Sequence, residues 1–200
     1  MPILMVDKKH PSAEAAGPPS DSEPKRFSPQ QIRVINDAVS MAEELVGNFY
    51  KLSSVQWRRL RYDIKTLAEL AEDELVTGPF AQVIRYEAKP QDVPLGSSTY
   101  DYYKICLQDQ AILRVTARHP EIQLYPLVLY IVTHELIHII RFCRFLQRFD
   151  ASAEEKHEEE KRVHERTHEI LGRLTTPGLA KVLHFFRQWC ERCEPVDALR

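Results

Sequence analysis

Leu124-Tyr-Pro126-Leu-Val-Leu-Tyr-Ile-Val-Thr-His134-Glu135-Leu-Ile-His138-Ile-Ile140 is the stretch on which the reading of this chain turns. It opens with the longest apolar run in the sequence, Leu124 to Val132, then passes into two histidines and a glutamate. A bilayer span needs about 20 apolar residues. This run is interrupted by Pro126 and soon meets charge, so it predicts a buried helix and no membrane span. Pro126 suits a first helical turn, and the helix is expected to run to about Phe149.

At about 100° per residue, His134 and His138 fall roughly 40° apart on one face, one turn removed. Two imidazoles so placed can bind one zinc ion. Glu135 points at a neighbouring angle, where it reaches a water on the metal rather than the metal itself, the position of a general base. Ile131, Val132, Leu136, Ile137, Ile139 and Ile140 surround the three polar residues. Polar groups sunk in such a stretch need partners, and a metal supplies one.

Zinc needs a third protein ligand, with a fourth position left to water in a catalytic site. The next helix reads Glu158-Glu-Glu-Lys-Arg-Val-His164-Glu-Arg-Thr-His168-Glu. With Glu160 at zero, His164 lies at about 40° and His168 at about 80°. The apolar Val163 lies at about 300°, Ile170 at about 280° and Leu171 at about 20°. Glu160 therefore turns toward the core, Glu158 faces away, and Glu159 lies at the other border. Glu160 is the expected third ligand. His164 and His168 are expected to support the site or, for His164, to replace Glu160 as ligand.

Outward from this pair of helices, Ser28 and Gln31 form a capping box, with Pro29 at the first helical position and Phe27 placed to staple to Ile32. A second helix is expected from about Ser53 until just before Thr77-Gly78-Pro79, with Trp57, Leu60, Ile64, Leu67 and Ala71 inward. Phe80–Tyr86 and Tyr102–Leu107 read as strands able to pair antiparallel. A short helix over about Asp109 to Arg118 follows. Ser152 and Glu155 cap a helix to about Leu174, and Thr176-Pro177 opens a last one through Val182, Phe186 and Trp189. The fold class is α+β, mainly α, with a small antiparallel hairpin before the active-site helix. Five prolines among small and charged residues mark residues 1–26 as a disordered arm. The domain is expected over 27–190, with a tail at 191–200.

A formal net charge of −2 gives no reason to expect nucleic acid or an anionic membrane surface. Of four cysteines only Cys190 and Cys193 sit close together, and one pair at a chain end lacks the second pair that a four-cysteine zinc site needs. A cytosolic protein is expected.

Taken together, His134-Glu135-x-x-His138 and Glu160-Lys161-Arg162-Val163-His164 resemble the gluzincin branch of zinc metallopeptidases in a compact, minimal form. That group uses an HExxH helix followed by a glutamate ligand on a second helix. Where it often has aspartate four residues after this glutamate, the chain has His164. The resemblance covers about residues 80–175. It implies a zincin-like fold, bound Zn2+ and hydrolysis of a peptide or protein substrate, with Glu135 passing a proton from water to the leaving amine. It further implies that Tyr102–Leu107 holds the substrate in extended form. A Tyr or His would stabilise the oxyanion, the candidates being His168, Tyr102, Tyr103 and His184.

Two other classes stay open. Carboxylate-bridged di-iron bundles use Glu-x-x-His on two helices and single glutamates on two more. Glu135-x-x-His138 and Glu165-x-x-His168, with Glu43, Glu44, Glu69 or Glu72, supply the residue types. A zincin-like protein that binds a partner without catalysis would keep the same motif.

Overall fold

The computed structural model of the 200-residue chain describes residues 4–8, 25–88, 100–148 and 151–192. The elements run β1 (Leu4–Lys8), α1 (Pro29–Phe49), α2 (Ser54–Arg59), β2 (Tyr62–Lys65), β3 (Ala81–Ala88), β4 (Tyr100–Leu107), α3 (Asp109–Arg118), α4 (Leu124–Cys143), α5 (Ala153–Leu171) and α6 (Leu179–Arg192). The class is α+β and mainly helical, as the periodicities predict.

α4 is the centre of the core. Sixteen of its twenty residues are buried, so no face is left for solvent. Its length and composition would let it cross a membrane, but 89% of its most apolar window is buried inside the protein. Each buried Leu or Ile here contributes about 1.5–3 kcal/mol, which offsets the cost of burying Thr133, His134, Glu135 and His138 in the same helix. Ile35, Ala38, Ala42 and Val46 of α1, Val163, Ile170 and Leu171 of α5, and Val182 and Phe186 of α6 complete the cluster.

The expected hairpin forms. β3 and β4 pair antiparallel from Ala81 opposite Leu107 to Ala88 opposite Tyr100. Val83, Tyr103, Ile105 and Leu107 turn into the core.

The expected second helix is corrected. It starts at its capping box, with Ser53 Oγ accepting from Gln56 N, but stops at Arg59. Tyr62–Lys65 is instead a strand, parallel to β4, giving a sheet of order β1-β3-β4-β2. The edge of β4 offers this segment hydrogen bonds that a lone helix end does not, beginning with Tyr103 N to Arg61 O at 2.8 Å. Tyr62 then reaches Glu43 Oε1 with its hydroxyl at 2.7 Å. Within the stretch expected to be a disordered arm, Leu4–Lys8 pairs in parallel with β3; residues 9–24 lie outside the described residues.

α4 also ends earlier than Phe149. Leu146 N donates to Arg141 O and Phe145 N to Phe142 O, both at 2.9 Å, with Phe145 at φ 56°. This is a Schellman stop, usually marked by glycine in the left-handed position. Phenylalanine occupies that position here, so the sequence carries no breaker. α5 ends at Leu171 rather than about Leu174, and α6 starts at Leu179, two residues past Pro177.

Candidate metal centre

The one-turn spacing works as expected. His134 and His138 project from α4 toward α5, and Glu160 of α5 meets them. Glu160 Oε2 lies 3.4 Å from His134 Nε2, and its Oε1 lies 3.2 Å from His138 Nε2. The two Nε2 atoms are 3.1 Å apart. Ligands held about 2.0–2.2 Å from a tetrahedral zinc stand about 3.3–3.5 Å from one another, and each imidazole nitrogen lies near that distance from the other and from one of the two Glu160 oxygens. His134, Glu160 and His164 also offer ligand atoms all within 4.8 Å of one another. This group can hold a metal ion.

The protons support the same conclusion. His138 Nδ1 lies 3.1 Å from Gln147 Oε1, a carbonyl oxygen that only accepts, so Nδ1 carries the hydrogen. Thr167 donates its one hydroxyl hydrogen to Val163 O at 2.8 Å. Its oxygen is left to accept from His134 Nδ1, 3.5 Å away. In the neutral rings both Nε2 lone pairs therefore face each other and a carboxylate. The trio needs positive charge at its centre. Burial pushes His138 down, but the Glu160 carboxylate outweighs it and draws the imidazole up, toward holding a proton. Burial likewise pushes Glu160 up, and His138 and His134 overcome it, holding the carboxyl well below its usual range. One proton can serve only one of three edges. A metal ion serves all three.

Glu135 is 1% exposed, and its Oε2 has no hydrogen-bond partner among the described residues. Burial, reinforced by the Glu160 charge and opposed by His138, pushes its carboxyl up to about 8. A buried carboxyl oxygen left bare costs a few kcal/mol, and this one sits within electrostatic reach of the trio.

His164, a member of the group that could hold a metal, lies beside His134. Its ring is 4.5 Å from that of His134, and its Nδ1 is 2.6 Å from the Tyr130 hydroxyl. Tyr130 is clamped by Phe186, stacked on it at 3.8 Å. Burial and the neighbouring His134 push His164 down to about 2, so it stays neutral. His168 meets Tyr130 edge-on at 5.7 Å, one layer further out. Tyr102 is bonded to Asp63, and His184 is exposed and paired with Gln188 at 2.8 Å; neither is brought to the centre. Tyr103 stacks on Phe142.

Comparison with protein-family models, with curated proteins and with solved structures found no match.

Two features of the site were not legible beforehand. Glu159, expected at a helix border, is more buried than Glu160, with side-chain exposures of 5% and 16%. It receives both Nε and Nη2 of Arg141, the latter at 3.0 Å. Arg141 follows His138 by three residues and Glu159 precedes Glu160 by one, so this fork locks α4 and α5 in register beside the cluster. The only advance signal was Arg141 itself, a cation closing a buried apolar helix. Second, β4 is not a free edge: β2 covers Tyr103–Cys106. The expectation that Tyr102–Leu107 holds an extended substrate is therefore corrected, because the segment before it formed a strand and took that edge.

Proposed function

We propose that the protein is a zinc-dependent peptidase of the HExxH-plus-glutamate kind, with His134, His138 and Glu160 as ligands and Glu135 as general base. The observation that carries this reading is the convergence of His134 Nε2, His138 Nε2 and Glu160 within 3.1–3.4 Å, beside a buried glutamate with an unpartnered oxygen. Two neutral imidazoles and one carboxylate are a donor set that suits zinc. Zinc in such a site acidifies water toward a pKa of about 7 and polarises a carbonyl. The charge of a bound metal would draw the Glu135 carboxyl back down, and the carboxylate would then accept the proton from water at its free oxygen and return it to the leaving amine. Gln147 and Thr167 hold the two imidazoles in the ligating tautomer. His164, neutral and fixed by Tyr130, stands next to the ligands as a hydrogen-bonding group for the substrate oxygen.

The di-iron reading is less well supported. Glu165 is exposed, and the helix that was to carry Glu69 and Glu72 is replaced by a strand and a 3-10 turn. A silent, partner-binding zincin has one observation in its favour: His134, Glu135 and His138 are each no more than 1% exposed.

Glu135→Gln separates these readings. It keeps size and hydrogen bonding but accepts no proton. The expected result is full zinc content with loss of chelator-sensitive peptide cleavage. Loss of zinc would make Glu135 a ligand, as di-iron chemistry requires. Unchanged cleavage would remove it as the base.

A further inference from the structure

A cleft of about 590 Å³ opens at the C-terminal end of α4, between that helix, α2 and the start of β4. That volume is in the range of small-ligand sites and is too small to seat a folded partner. Four arginines line it: Arg58, Arg59, Arg61 and Arg144. The one carboxylate in its wall, Asp101, is engaged by Arg85 at 4.0 Å and by the Tyr103 hydroxyl at 3.4 Å. None of the four arginines is ion-paired to a carboxylate among the described residues. Arg61 lies over the Tyr100 ring at 3.6 Å, and Arg144 reaches Tyr50 O at 3.3 Å. Both guanidinium groups are thus held in place by neutral groups with their charge unspent. In a chain with a net charge of −2, four unpaired arginines around one concavity are a local excess of positive charge.

The cleft lies further along α4 from Glu135, which is buried and does not line it. Phe142, in its wall, follows Glu135 by seven residues, which puts the two on one stripe about 10 Å apart along the axis. The Phe142 ring stacks on Tyr103 at 6.1 Å and lies 6.4 Å from the His138 ring. The rim carries Phe145, 94% exposed and in a left-handed conformation that phenylalanine rarely adopts. Fold stability gives no reason for an aromatic ring there, since nothing covers it among the described residues. An apolar rim beside cationic walls matches a peptide that carries carboxylates next to an apolar side chain.

We propose that this cleft binds an acidic stretch of the substrate peptide. The proposal rests on the peptidase reading for the word substrate, and on the cleft alone for the word acidic.

The test uses full-length, metal-loaded Glu135→Gln protein and three fluorescein-labelled probes read by anisotropy. One is a hexapeptide of alternating Ala and Glu, one its Ala/Gln counterpart, and one a deoxythymidine hexanucleotide. The expected result is at least about tenfold tighter binding of the Glu peptide than of the Gln peptide, weakening as salt is raised. The preference should vanish in Arg58→Gln/Arg59→Gln/Arg61→Gln, with zinc content unchanged. Should that triple variant unfold, Arg59→Gln alone, at an exposed position, should still reduce the preference about threefold. Equal binding of the two peptides, a preference that survives the triple change, or tighter binding of the hexanucleotide would each overturn the proposal. Cleavage by the unsubstituted protein is scored separately. Arginine-dependent binding of the Glu peptide without cleavage of any peptide removes the peptidase reading and supports the cleft as an acidic-peptide site. Cleavage indifferent to the arginines does the reverse.

Discussion

The Nε2 atoms of His134 and His138 stand 3.1 Å apart while the other nitrogen of each ring is already bonded, to Thr167 and to Gln147. These bonds fix the orientation of both rings. Removing either support should loosen the aim without removing a ligand. Gln147→Ala and Thr167→Val are expected to weaken zinc binding by about 10–100-fold, measured by competition with a chromophoric chelator. Unchanged affinity in both would mean that packing alone orients the imidazoles.

Three adjacent glutamates should behave in three different ways. Glu160→Ala removes a proposed ligand, so zinc binding should collapse while the fold survives. Glu158 is half exposed and pairs with Lys161 only at 3.8 Å, so Glu158→Ala should change neither zinc nor stability measurably. Glu159→Ala strands the Arg141 guanidinium between the helices. Because Arg141 keeps 15% side-chain exposure, the cost should fall below that of a fully buried pair, at about 2–3 kcal/mol, read from urea unfolding. Loss of zinc in the Glu159 variant, with stability kept, would mean that the ligand had been misassigned by one residue.

How much of this was legible in the sequence depends on where each signal lay. α1 and α5 announced themselves through capping boxes at Ser28 and Ser152, both of which form. His134, Glu135, His138 and Glu160 were legible because helical spacing alone decides which side chains share a face. β2 was not, because Tyr62 and Ile64 suit a strand as well as Ile64 and Leu67 suit a helix, and the choice was made by the edge of β4, far along the chain. Glu159 was not, because its burial is decided by Arg141 on another helix. The end of α4 was not, because phenylalanine took the place of the usual glycine.

That last substitution yields a stability prediction. Phe145 is in the left-handed region and 94% exposed, so its ring contributes almost no burial while its backbone is strained. Phe145→Gly should relieve about 1 kcal/mol of strain, partly offset by the greater freedom of glycine in the unfolded chain. The expected result is a melting temperature unchanged or higher by a few degrees. A clear drop would show that the ring packs against something.

Acid stability should depend on Glu74. Its carboxylate is 2% exposed and accepts from Lys104 Nζ at 2.6 Å, Tyr86 Oη at 2.5 Å and Ala71 N at 2.9 Å. Burial pushes its pKa up, and these donors together outweigh it and hold it below the ordinary carboxylate value. A lowered folded-state pKa stabilises above the unfolded value, about 4.3. That contribution disappears as pH falls through the folded value. Glu74→Gln should therefore lower the melting temperature at neutral pH and narrow its gap to the unsubstituted protein below pH about 4. A gap of constant size across that range would rule out the carboxylate charge as the cause.

The most direct measurement is the metal content of the purified full-length protein by inductively coupled plasma mass spectrometry, alongside His134→Ala. If His134, His138 and Glu160 form one site, the protein should carry close to one zinc per chain. His134→Ala should lose most of it, because two remaining ligands hold zinc poorly. Two irons per chain, no metal after zinc supplementation, or full zinc retention in His134→Ala would contradict the site.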